Sequence, residues 1–190
     1  MHGTFILVVG PSGSGKSVLL THLHHVIPEV VFPVSCTTRA MRQGERGGKM
    51  YDFISDAEFD KKLANDEFLE WAVYGGHRYG TLKSAIIPHL ENGEIVVRDV
   101  ETQGAHQLQK LFPVGTVKTI FIDAGDWETM KRRILSRAPM TVEDLEARRE
   151  RHQKESAFKN EADAVVENLD GKLEEAKKNF IETVQRLAGR

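Results

Sequence analysis

Residues 10–17 read Gly10-Pro11-Ser12-Gly13-Ser14-Gly15-Lys16-Ser17, which fits the pattern G-x-x-x-x-G-K-[ST]. Each residue type has a job in phosphate chemistry. The glycines let successive backbone N–H groups point inward at an anion, and a helix starting at the loop's end adds partial positive charge. Lys16 can reach the β- and γ-phosphates, and the Ser17 hydroxyl is suited to ligate Mg²⁺. Chance alone would place this pattern in a chain of this length on the order of once per hundred sequences. A nucleoside triphosphate site is therefore a better reading than a glycine-rich turn. A magnesium site also wants a carboxylate at a neighbouring strand end. Asp99, closing IVVRD, is the natural candidate, directly or through water, and Asp123, closing TIFID, is a rival that also suits a helix cap. Asp99 shares a strand face with Val97 and Glu101, which leaves Arg98 on the opposite face with Val96 and Val100, an unusual place for a charge in a buried strand.

A second constellation lies in SCTTRAMRQGERGGKMYDF, Ser35 to Phe53. It has too few apolar residues for a core strand and glycines unsuited to a helix. Arg39 and Arg42, three positions apart, can clamp a phosphate with fork-like hydrogen bonds. Tyr51, and Tyr79 within RYGT, are plausible further donors to the same group.

The elements that must position these residues follow from periodicity. TFILVV (Thr4–Val9) is a continuous apolar run of the kind buried on both faces of a sheet. Val18, Leu19, Leu20, Leu23 and Val26 have helical spacing over 17–26. A second strand is expected over Val30–Ser35, with Pro33 marking an edge or bulge. Residues 50–90 are mixed and short: MYDFI, a helix over 55–65, FLEWAVY, RYG and a helix over 82–90. EIVVRDV and VKTIFID are further strands, each followed by a helix, 101–111 and 127–135. After Ala138-Pro139 comes a long charged helix over 142–159, then a strand over 164–167 and an amphipathic helix over 173–187. Strands alternating with helices predict an α/β fold: an open parallel sheet with helices on both faces. The expected division is a core (1–35, 92–136 and 160–190), an inserted mixed α/β lobe (36–91) and a helical lid (137–159).

Composition narrows the function. The 190 residues carry 26 Lys and Arg against 28 Asp and Glu, a net charge of −2, which argues against a dedicated nucleic-acid binder. No segment has the ~18 apolar residues a bilayer span needs, and MHGTFILVVG is too short an apolar run for a secretory signal. One cysteine, Cys36, excludes an internal disulfide and suits a reducing compartment, so a cytoplasmic location is expected; Cys36 itself reads as a small hydrophobe. The eight histidines form no metal pattern; only His77, beside Arg78 and Tyr79, is expected near a substrate. Trp71 and Trp127 read as packing residues. The basic runs Lys131-Arg132-Arg133 and Arg148–Arg151 read as solvated helix faces in which one or two arginines are functional.

From Gly10 to about Asp170 the chain resembles the guanylate kinases. The motifs that carry the resemblance are GPSGSGKS, the run SCTTRAMRQGERGGKMYDF, EFLEWA, RYGT, D-V-E-x-Q-G and ENLD. The resemblance implies a P-loop NTPase fold whose inserted lobe binds GMP, and ATP-dependent phosphorylation of GMP or dGMP with Mg²⁺. It places Gly10, Pro11, Ser12, Gly13, Ser14, Gly15, Lys16, Ser17, Val18, Arg137 and Asn168 at ATP, with Asn168 near the adenine. It places Ser35, Arg39, Arg42, Glu45, Tyr51, Glu70, Tyr79, Thr81 and Asp99 at GMP. Lys16, Arg39, Arg42, Arg137 and Arg148 would carry catalysis, with Ser17 and Asp99 at the metal. Guanine chemistry agrees: a carboxylate such as Glu70 can accept from N1–H and N2–H, and hydroxyls such as Ser35 and Thr81 can donate to O6.

The chain departs from the family pattern at Val18, where Thr is frequent, at Arg98, where an apolar residue is usual, and at Glu101, where Asp is more common. Ser136-Arg137-Ala138 replaces a frequent Gly-Arg-Gly. The expected partners are ATP and GMP or dGMP, with no nucleic acid and no membrane; a homo-oligomer stays open. Two other readings stay open beside the kinase: a guanylate-kinase-like module that binds phosphorylated partners, and a kinase of another nucleoside monophosphate.

Overall fold

A computed structural model describes residues 3–41, 45–48, 51–136 and 140–190. In chain order the elements are β1 (Thr4–Val9), α1 (Lys16–Val26), β2 (Ser35–Thr37), β3 (Tyr51–Phe53), α2 (Asp56–Ala64), β4 (Phe68–Tyr74), β5 (His77–Leu82) and α3 (Ile87–Glu91). There follow β6 (Ile95–Asp99), α4 (Thr102–Leu111), β7 (Val117–Asp123), α5 (Trp127–Leu135), α6 (Val142–Ser156), β8 (Ala164–Glu167) and α7 (Leu173–Leu187).

Two four-stranded sheets result. The first has the order β6-β1-β7-β8, all parallel, and matches the expected open α/β sheet. Five of the six β1 residues are buried because both faces are covered. On one face Leu19, Leu20 and Leu23 of α1 meet Ala176, Phe180 and Val184 of α7 over Ile6, Val8 and Val97. On the other, Ala105 and Leu108 of α4 pack with Ile86 and Leu90 over Phe5, Leu7 and Val96. Since β1 lies between β6 and β7, the loop leaving it emerges where the strand connections diverge, the place where open α/β sheets bind ligands.

The second sheet, β3-β2-β5-β4, is mixed: β2 runs parallel to β3, and β5 runs antiparallel to both β2 and β4. Its small core is Cys36, Phe59 and Phe68, with the two phenyl rings stacked at 4.5 Å. Arg78 fixes α2 to this sheet, lying 4.6 Å above the Phe59 ring while its guanidinium holds Asp56 and Asp60. Ser55 and Glu58 close a reciprocal capping box at the start of α2.

Three expected elements change. No strand forms over Val30–Ser35: Val31 makes an isolated parallel bridge to Val96, and proline at 33 has no N–H to extend a ladder. Ser35 instead opens β2 in the second sheet, so the core sheet's territory ends before residue 35. The apolar character of this run serves packing, with Phe32 edge-on to His24 at 5.1 Å. The helix expected over 82–90 is a 3₁₀ turn (Lys83–Ala85) and then the short α3, which restarts with Pro88 in its first turn. The long charged helix ends at Ser156 and finishes as a 3₁₀ turn, Ala157–Asn160. Among the described residues, no helix is long and apolar enough to cross a membrane.

Candidate active site

The phosphate loop is completed by a residue from the far end of the chain. α1 begins on Gly15, which is left-handed at φ 92° and contributes no side-chain cap, and no acidic residue occupies the helix's first turn. The first-turn N–H groups and the helix dipole therefore face the loop with no side-chain carboxylate in competition. A Cβ on Gly15 would stand 2.2 Å from the Asn168 amide nitrogen. That close approach lets Asn168 Nδ2 donate to the Ser14 carbonyl at 2.8 Å. Asn168 is buried beneath the loop and braces its backbone. Arg133 donates to the Asn168 carbonyl, and Arg132 and Arg133 both bind Asp170, so part of a basic run that reads as a solvated face anchors this segment. Lys16 donates its ammonium protons to the Gly10 and Pro11 carbonyls, which keeps the charge curled over the loop.

One cavity of about 640 Å³ joins this loop to the second sheet. Lys16, Ser17 and Val18 line it from the loop side, Arg39, Glu45, Tyr51 and Glu70 from the lobe, and Asp99, Glu101 and Arg148 from between. Arg39 is buried and forms a two-pronged pair with Glu45, 2.9 Å on each prong. The Glu45 hydrogen bond is the main reason its guanidinium is held even more firmly protonated than usual. The rings of Tyr51 and Phe53 lie 5.7 and 5.3 Å from the guanidinium carbon. Burial, reinforced by the Asp99 charge, pushes the Tyr51 phenol up to about 12, so it stays a hydrogen-bond donor through the neutral range.

Glu70 is the buried carboxylate of the lobe. It accepts from the Thr81 hydroxyl, stands 3.5 Å from Arg98 Nη2, and has α4 at its back. A Cβ on Gly104 would sit 3.1 Å from Glu70 Oε2, so α4 can approach this closely only because Gly104 has no side chain. Ser35 and Thr81 are themselves buried and stand behind the residues that line the cavity.

Helix α6 meets the loop through Arg148, whose Nη1 donates to Ser12 Oγ at 2.9 Å. At its C-terminal end Glu155 is buried against Glu101. Burial, then the Glu101 charge and their shared hydrogen bond, push the Glu155 carboxyl up to about 7, while Lys16 and Arg151 oppose the rise.

Most of the residues expected at the two nucleotides converge here. Tyr79 lines the cavity from the lobe, with Tyr51 edge-on at 5.8 Å. Asp99 lines the cavity, whereas Asp123 is engaged by Lys159 and by the Gly125 N–H, a turn role that leaves Asp99 as the candidate metal carboxylate. His77 is exposed beside the Gly75-Gly76 turn and does not line the cavity; it shares a strand face with Tyr79, but it stands at the turn end of β5, opposite Tyr74, one step further from the cavity. Arg42 and Arg137 lie outside the described residues. Sequence reasoning missed Glu155, quoted Gly104 only as the last residue of a motif, and placed Arg98 on the correct face of β6 without its partner Glu70. The usable signals were a glycine early in α4 and an arginine on the inward face of β6.

Two outcomes follow from this geometry. Gly104→Ala crowds Glu70 and is expected to raise KM for the acceptor several-fold while leaving KM for the donor unchanged; steady-state kinetics with each substrate varied checks it. Glu155 has a folded-state pKa above its unfolded value, so the folded protein binds the extra proton between about pH 4.5 and 7 and loses stability as pH rises through that window. Glu155→Gln, neutral at every pH, is expected to stabilise the fold at pH 8 by on the order of 1–3 kcal/mol and to change little at pH 5. Urea unfolding at the two pH values measures the difference.

Comparison with known proteins agrees with this geometry. Residues 2–187 match the family model described as guanylate kinase. The guanylate kinase of Streptomyces kasugaensis is 38% identical over 180 residues, 95% of this chain and 86% of that protein. The guanylate kinase of Thermotoga maritima is 38% identical over 92% of this chain and 84% of its own, and that of Helicobacter pylori strain 26695 is 36% identical over 100% and 91%. The crystal structure of guanylate kinase from Anaplasma phagocytophilum superposes with a TM-score of 0.77, at 24% identity, over 99% of this chain and 87% of that one, which shows the shared fold. By the family match and the relatives, this chain belongs to the guanylate kinase family.

Proposed function

We propose that this enzyme transfers the γ-phosphoryl group of ATP to GMP or dGMP, giving ADP and GDP or dGDP. The observation that carries the reading is the single cavity lined at one end by Lys16 and Ser17 and at the other by Arg39, Tyr51 and Glu70. One chamber presents a triphosphate-binding loop to a monophosphate clamp. The acceptor phosphate already carries an anionic oxygen, so the reaction needs no general base and rests on alignment and charge neutralisation. Lys16 and Arg148 stand where donor phosphates would lie, and Arg39 with Tyr51 where the acceptor phosphate would lie. Arg42 and Arg137 are assigned to the same two groups on family pattern.

The residues present suit Mg²⁺. Ser17 and Asp99 line the same cavity, and a magnesium ion that shares its ligands with phosphate oxygens needs only one or two protein groups. Bound there, the ion would supply charge neutralisation at the β- and γ-oxygens. Residues 36–91 act as the acceptor lobe and 137–159 as the lid, and their closure excludes water from the γ-phosphate. The Arg148–Ser12 hydrogen bond supports a lid that seats directly on the loop.

A coupled assay of ADP release across GMP, dGMP, AMP, UMP and CMP is expected to give turnover with the two guanine nucleotides and at most about 10⁻⁴ of that efficiency with AMP. Comparable turnover with a pyrimidine or adenine acceptor overturns the assignment. Lys16→Met should lower kcat by at least about 10²-fold while leaving the GMP dissociation constant within about twofold, because the lysine serves donor phosphates only. Near-normal kcat in that variant removes Lys16 from the mechanism.

A further inference from the structure

Two buried side-chain polar atoms lack a hydrogen-bond partner among the described residues, and both lie at the nucleotide sites: Ser14 Oγ in the phosphate loop and Arg98 Nη1 beside Glu70. A buried guanidinium nitrogen without an acceptor is costly unless a ligand satisfies it. Arg98 is 8% exposed, stands where the family usually has an apolar residue, and lines the cavity. Its other nitrogens are engaged: Nε donates to the Asp99 carbonyl at 3.4 Å, and Nη2 faces Glu70 Oε1 at 3.5 Å. β6 fixes this direction, since Arg98 is in register with Leu7 of β1 and so points to the face that the lobe covers.

We propose that Arg98 is a specificity-determining residue which donates from Nη1 to O6 of the guanine that Glu70 holds. The proposal rests on the base-pocket reading given above. Guanine presents O6, N1–H and N2–H₂ in a row along one edge. With N1–H on Oε1 and N2–H on Oε2, O6 falls on the Oε1 side, the side on which Arg98 stands. The Thr81 hydroxyl has one proton and gives it to Glu70 Oε1, so it is already spent as a donor to O6. Ser35, the other hydroxyl named above, is buried and does not line the cavity, whereas Arg98 does and supplies a donor there; arginine is well suited to guanine's oxygen edge. Adenine would set an amino group against the same guanidinium, donor against donor, so the residue adds to the discrimination that Glu70 makes.

The test is calorimetric binding of GMP and 6-thio-GMP, in which sulfur, a weak acceptor, replaces O6. The proteins are the natural chain, Arg98→Met, Arg98→Lys and Glu70→Gln. The natural chain should prefer GMP by about 10-fold or more. Arg98→Met should bind GMP about 10–100-fold more weakly and lose the preference, with affinity for a non-hydrolysable ATP analogue unchanged as a check on folding. Arg98→Lys, which keeps a donor, should retain part of the preference and carries the comparison if the methionine variant does not fold. An unchanged preference in Arg98→Met, or equal weakening towards both nucleotides, overturns the contact. If Glu70→Gln loses GMP while the sulfur preference survives in Arg98→Met, the base pocket stands and the arginine contact falls. If Glu70→Gln binds GMP normally, both fall.

Discussion

Parallel pairing of β1 between β6 and β7 is the constraint from which the site follows. A parallel sheet buried on both faces directs all its strand ends the same way, so the loop after β1, Asp99 at the end of β6 and Asp123 at the end of β7 arrive on one edge. α1 must start on that edge, and its unpaired N–H groups are then available to an anion. The connection from α1 to β6 carries the second sheet as an insertion, and this suspends Arg39, Tyr51 and Glu70 above the same edge. Gly104 sets how near they come, because α4, which follows β6, meets Glu70 with no side chain between.

Charge placement inside the cavity follows a second rule. Positive groups are paired or hydrogen-bonded within the protein: Arg39 with Glu45, Lys16 with loop carbonyls, Arg148 with Ser12. A cavity meant to gather several phosphates needs many cations, and partnered side chains in fixed directions lose less entropy on binding than mobile ones. Arg98 breaks the rule at one nitrogen, beside the Glu70 carboxylate.

Much of this was legible from residue order. The loop pattern together with a following amphipathic run places Lys16 at the start of a helix, and VKTIFID, WETMKRRIL and AVVE end where periodicity ends them. What stayed hidden depended on partners distant in sequence. Val30 to Ser35 has strand-like composition, yet Pro33 and the capture of Ser35 by the second sheet decide otherwise. Arg98 on a buried face is visible as an oddity, but its meaning depends on Glu70 reaching it across the gap between sheets. Glu155 sits in a helix so charged that nothing in its neighbours marks it as buried, and only the approach of Glu101 does so. The ENLD segment signals importance without saying what kind, since the Asn168 amide acts on a backbone carbonyl 154 positions earlier.

That last span has a bearing on biosynthesis. The loop is encoded at the start of the chain, but the hydrogen bond that finishes it comes from a residue on the far side of β8. At translation speeds of about 5–20 residues per second, roughly 8–30 s separate the emergence of Ser14 from that of its partner. For that interval the nascent polypeptide carries the loop's residues without the contact that shapes them. A product terminated before position 168 would contain every residue of the loop motif and still lack a finished nucleotide cradle.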